Sequence, residues 1–164
     1  MEKIIAYEAV HAIDDWDALR ERLAPADRRC FSFFHPTMPD EPLIFVEVAL
    51  TKGLSGSIQQ ILKSPRQILN PRDADTAIFY SISNCQAGLA GITFGAFLIK
   101  QVASDLQAAL PNLKAFATLS PMPGFAAWLA AQGIEPDLAD GKPDAISELA
   151  ADYLLHARII PSSS

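Results

Sequence analysis

The sequence has no run of lysines and arginines, and no basic stretch interleaved with aromatic residues. With 13 basic against 19 acidic residues its net charge is −6, which argues against a nucleic-acid surface. An anionic small molecule would have to be held by local groups. Cysteine is scarce: only Cys30 and Cys85 occur, with no Cys-x-x-Cys and no ligand spacing. A disulfide framework and a structural zinc site are therefore not expected, and no metal ligands are assigned; buried, reduced thiols are. No apolar run approaches the roughly 20 residues of a membrane span, and the start, MEKIIAYEAV, is too short and too charged for a secretory signal. The expectation is a soluble, cytoplasmic protein with no nucleic-acid and no membrane partner. No internal repeat or low-complexity segment is present.

What is there is apolar material. Half of the 164 residues are hydrophobic, enough for one compact domain, residues 1–164, with a real core. The chain is organised around 78–102, IFYSISNCQAGLAGITFGAFLIKQV. Ile78 to Ser83 is apolar, aromatic and β-branched and reads as a strand. Gln86, Gly88 and Gly91 then lie in a segment of little bulk, and from Gly91 apolar residues recur at Phe94, Phe97, Leu98, Val102, Leu106 and Leu110, the spacing of one helical face. In a strand, glycine loop and helix in that order, the first helical amides have no partner within the helix and favour an anion. Two readings stand at this point: Gly88 and Gly91 merely make a turn, or they let the backbone approach a phosphate.

The remaining elements follow from pattern and punctuation. Lys3 to Val10 reads as an opening strand, and Asp14 or Asp15 caps a helix through Ala24 with Trp16, Leu19 and Leu23 on one side. Cys30 to His35 and Leu43 to Leu50 read as two strands joined by the Pro-rich turn PTMPDEP. Ser55 or Ser57 caps a helix carrying Ile58, Ile61 and Leu62, and 64–75 is a surface connection. After the long helix ends near Pro111, Lys114 to Leu119 is a short strand. It leads into Ser120-Pro-Met-Pro-Gly124, then a helix over Phe125 to Ala131, a polar loop, and a last helix over Asp144 to Arg158.

Three stretches in this order resemble malonyl-CoA decarboxylases: FFHPTMPDEPLIFVEVALTKG (Phe33 to Gly53), FYSISNCQAGLAGITFGAFLIKQV (Phe79 to Val102) and TLSPMPGFAAWL (Thr118 to Leu129). The likeness runs from about Lys3 to Leu129. It implies an α/β (α+β) domain of the acetyltransferase-like (GNAT) fold, a mixed sheet flanked by helices, here incomplete. It also implies conversion of malonyl-CoA to acetyl-CoA and carbon dioxide, with coenzyme A as part of the substrate and no separate cofactor. The family places the pyrophosphate on the segment matching Ala90, Gly91, Ile92, Thr93, Phe94, Gly95 and Ala96. Ser120 matches the serine beside the malonyl group; a turn-capping hydroxyl is the alternative on the residues alone. Ser81 matches a strand serine near the same pocket. Thr93 stands where some members carry a glutamate.

The resemblance further implies a Phe-His-x-x-Asn-Gly-Ala block, whose histidine is the proposed proton donor, and a later tyrosine; neither occurs in these 164 residues. His11, His35 and His156 read as surface or packing residues, and His35 alone lies in a block that resembles the family. The expectation is thioester binding with weak or absent turnover. Other readings are an inactive acyl-CoA-binding fragment, an acyltransferase of the same fold, or a scaffold that forms homo-oligomers through exposed apolar sheet.

Overall fold

The computed structural model describes residues 2–8, 10, 11, 13–89, 94–120 and 124–131. The chain divides into a unit of residues 1–120, which contains the sheet, and a unit of residues 121–164, whose described part contains the helix Phe125–Ala131. The expected helix over 144–158 lies outside the described residues.

Four strands form one sheet in the order β1-β2-β3-β4. β1 (Arg28–His35) and β2 (Met38–Thr51) are an antiparallel hairpin, β2 is antiparallel to β3 (Thr76–Asn84), and β3 is parallel to β4 (Ala115–Thr118). A parallel pair needs a crossover. The 16-residue helix Phe94–Ala109 supplies it, and its buried Leu98, Val102 and Leu106 pack with Val46, Val48 and Leu50 of β2 and Ala77 and Phe79 of β3. Each buried leucine, valine or phenylalanine among them contributes roughly 1.5–3 kcal/mol. The other face carries Ala49, Ile78 and Tyr80 against Ile61 of the short helix Ile58–Leu62. With both faces covered, β2 and β3 read as nearly unbroken apolar runs.

Caps behave as the sequence indicates. Asp15 is the N-cap of the helix Trp16–Leu23 and accepts from the Ala18 amide at 2.7 Å, while Ser57 caps Ile58–Leu62. The end of β2 turns at Gly53, whose φ of +76° suits glycine and whose amide donates to Asp75 Oδ1 at 2.7 Å.

Four expectations are corrected. The opening segment is a helix, Glu2–Tyr7, not a strand. A helix satisfies its backbone locally, and this segment bonds to β3 through side chains. The hairpin turn is only Pro36 and Thr37, closed by the Thr37 amide on His35 Nδ1 at 3.2 Å; Pro39 and Pro42 lie within β2, where the register shifts accommodate them. Phe97 is 64% exposed rather than on the buried face, because it is one helical step off the line of Leu98, Val102 and Leu106. Trp16 is exposed too, and Leu19 and Arg22 are the inward residues of their helix.

Candidate functional site

The parallel pairing of β3 and β4 is brief. It ends at Phe79 with Thr118, and the Leu119 amide makes a last bond to the Phe79 carbonyl at 2.9 Å. β3 runs on to Asn84 after β4 has stopped, so the sheet opens at the carboxyl ends of its only parallel pair among the described residues. Such openings are where α/β sheets admit ligands. Ser120 follows Leu119 there and is exposed; Ser81 is two residues beyond Phe79 on the neighbouring strand. Sequence positions 39 apart are thus brought to one end of the sheet.

The long helix begins at the same end. Ala90, Gly91, Ile92 and Thr93 lie outside the described residues, whereas Phe94, Gly95 and Ala96 form the first helical turn. Their amides precede any i−4 acceptor within the helix. A Cβ added at Gly95 would meet nothing closer than Ile82 Cγ2 at 4.0 Å, and one at Gly88 would meet nothing within 4 Å. Neither glycine has a positive φ. Crowding and backbone conformation therefore require glycine at neither position.

Ser81 has a different environment from Ser120. Glu47 pairs with Ser81 and Val48 with Phe79, so Tyr80 is an extra residue in β3, a bulge. The bulge shifts the alternation, and Ser81 and Ser83 fall on the face of Glu47 and Tyr80 while Ile82 turns to the long helix. Ser81 is buried, and its hydroxyl lies 2.8 Å from each oxygen of Glu8. Glu8 Oε1 also accepts the amides of Val10 and His11, each at 2.9 Å, and His11 Nε2 lies 3.1 Å from the Tyr80 carbonyl. Glu47 is wholly buried, with Arg22 Nη1 3.5 Å from its Oε2. Among the described residues Glu47 Oε1 and Tyr80 Oη have no hydrogen-bond partner. Burial and the nearby Glu8 charge push the Glu47 carboxyl up to about 7, against the pull of Arg22.

The cysteines are free, and burial raises both thiols, Cys30 to about 12 and Cys85 to about 11. Both are poor nucleophiles and poor metal ligands as they stand. No three His, Cys, Asp or Glu side chains converge among the described residues as a metal site. No described helix is long and apolar enough to cross a membrane. His35 is occupied in the hairpin turn, 2.6 Å from Thr37 Oγ1.

Glu8 and His11, absent from the sequence reading of the site, are the residues that tertiary structure adds beside Ser81. No local pattern marks them: the helix ends at Tyr7, and Glu8 and His11 meet Ser81 and Tyr80 from 73 and 69 positions away in sequence.

A mixed sheet flanked by helices, opened beside the start of a long helix, defines an α/β domain of the acetyltransferase-like class. Residues 1–159 match the family model described as malonyl-CoA decarboxylase C-terminal domain. This chain belongs to that family. Its relatives include the mitochondrial malonyl-CoA decarboxylases of Anser anser anser, 48% identical over 132 residues, and of Rattus norvegicus, 44% identical over 131; each match covers 79% of this chain and 26% of the relative. Among solved structures, malonyl-CoA decarboxylase from Rhodopseudomonas palustris is 57% identical with a TM-score of 0.73, covering 90% of this chain and 36% of that one. The protein of the same name from Agrobacterium vitis is 49% identical with a TM-score of 0.75, covering 94% and 42%. The chain thus spans about a quarter of the length of the curated relatives.

Proposed function

We propose that this chain is the thioester-binding part of a malonyl-CoA decarboxylase, which converts malonyl-CoA to acetyl-CoA and carbon dioxide. The observation that carries the reading is the family match over 1–159, joined to a sheet that opens beside the first turn of the long helix and beside Ser120. In this reading the amides around 91–95 hold the pyrophosphate and Ser120 hydrogen-bonds the malonyl end.

The chemistry asks little else. Breaking the bond to the carboxylate moves its electron pair into the thioester as an enolate, carbon dioxide leaves, and the new carbanion takes a proton. The thioester is the electron sink, so the reaction needs neither a metal nor an organic cofactor. A donor to the developing oxyanion is commonly worth about 3 kcal/mol, or about 10²-fold in rate. We assign the proton donor to neither described histidine, since His35 is held in a turn and His11 against the Tyr80 carbonyl. A second reading, binding without turnover, rests on that same observation. The compartment we propose is the cytoplasm, in keeping with two free thiols; the goose and rat relatives are mitochondrial by name.

The test is calorimetric titration of the chain with malonyl-CoA and with coenzyme A, beside a carbon dioxide release assay. Both ligands should bind, and Ser120→Ala should weaken malonyl-CoA about 10-fold more than coenzyme A without moving the melting temperature, because Ser120 is exposed. Absence of binding to either ligand, or equal affinities for Ser120→Ala and wild type, refutes the site. Release of carbon dioxide would separate the enzyme from the binding module.

A further inference from the structure

Apart from Ser81, which the resemblance places near the thioester pocket, the polar groups buried on the second face of the sheet have no part in the thioester reading. Tyr7, Glu8 and His11 fasten the start of the chain to the sheet and its surroundings as a strap, through side chains. Ser81 donates to Glu8 at 2.8 Å, His11 Nε2 meets the Tyr80 carbonyl at 3.1 Å, and Arg22 Nη1 donates to the His11 carbonyl at 2.8 Å. Tyr7 Oη adds a bond to Glu41 Oε2 at 3.2 Å. On the same face lies Glu47, wholly buried, one oxygen 3.5 Å from Arg22 and the other without a partner among the described residues. The titratable and charged groups around it are Glu8 and His11 on the strap, Arg22 on the helix Trp16–Leu23, Arg28 and Cys30 on β1, and Tyr80 on β3. Arg22 serves both Glu47 and the strap carbonyl of His11.

We propose that ionisation of Glu47 loosens the strap, which makes Tyr7, Glu8 and His11 a pH-sensitive fastening over Ser81. Glu8 has three donors, the Ser81 hydroxyl and two amides, whereas Glu47 has one oxygen without a partner among the described residues, and its burial raises its carboxyl to about 7. When Glu47 loses that proton, two carboxylates share the face with Arg22. The repulsion is relieved when Glu8 turns out to water. That move breaks the Ser81 bond and, because the same oxygen orders the Val10 and His11 amides, undoes the turn that holds the strap in place. Water then reaches the buried oxygens of Glu47 and Tyr80.

Hydrogen exchange reads this directly. If opening returns Glu47 from about 7 to its ordinary 4.5, the opening constant of the strap rises about 10-fold between pH 6 and pH 8 after correction for intrinsic exchange. Glu47→Gln cannot ionise, and its strap should exchange alike at both pH values. Glu8→Gln removes the repelling charge and should shrink the rise, so it decides the matter if Glu47→Gln does not fold. No rise in wild type, the same rise in Glu47→Gln, or an undiminished rise in Glu8→Gln would overturn the proposal.

Discussion

Glu47 should make the folded chain lose stability as pH rises, the reverse of an ion-paired carboxylate. An unfolded chain releases this proton near 4.5, and the native one holds it until about 7, chiefly because of burial and then because of Glu8. The native state therefore binds the proton more tightly. Its contribution is fully present below about 4.5, shrinks as pH climbs towards 7, and is lost above that. At about 1.4 kcal/mol per pKa unit the window amounts to about 3 kcal/mol, and local opening of the strap would reduce it. Glu47→Gln keeps the shape and cannot ionise, but it sets an amide against Arg22, at a cost of about 1 kcal/mol. The variant should be slightly less stable than wild type at pH 5 and about 2 kcal/mol more stable at pH 8. Urea unfolding midpoints at the two pH values measure this, and the crossing is the signature. A variant 3–5 kcal/mol less stable at both pH values is the outcome for a net-favourable buried ion pair, and it would refute the reasoning.

Other outcomes follow from the packing. Leu98→Ala empties a buried site between the long helix and the sheet, and should cost roughly 2–5 kcal/mol in urea unfolding. Gly95→Ala meets only Ile82 at 4.0 Å, so the melting temperature should hold or rise, by up to about 1 kcal/mol of stability, while coenzyme A affinity falls if the backbone there approaches a phosphate. Asp15→Ala removes the cap on the Ala18 amide and should cost about 1 kcal/mol by thermal unfolding. Cys30, with its thiol pushed up to about 12, should react with a thiol-specific disulfide at pH 8 far more slowly than free cysteine.

The hairpin, the central strand, the crossover helix and both caps could be read from the sequence because each is a local matter: β-branched runs, a helical period, a serine or aspartate at a helix start. The family could be read as well, since three blocks occur in order. Patterns failed where two readings share a spacing. KIIAYEAV fits a strand or a helix equally, and an apolar stripe through Phe97 does not say that this ring faces water.

Of the candidate site, the sequence by itself named the glycine segment, the long helix and the two serines as candidates, and residues 90–93 of that segment lie outside the described ones. Only the tertiary structure separated the serines into an exposed hydroxyl at the mouth of the sheet and a buried one bound by Glu8. The place of Ser81 on the Glu8 side comes from one extra residue, Tyr80, in β3: a bulge reverses which face each later side chain takes, and a ladder's register is fixed by its partner strand, not by its own residues.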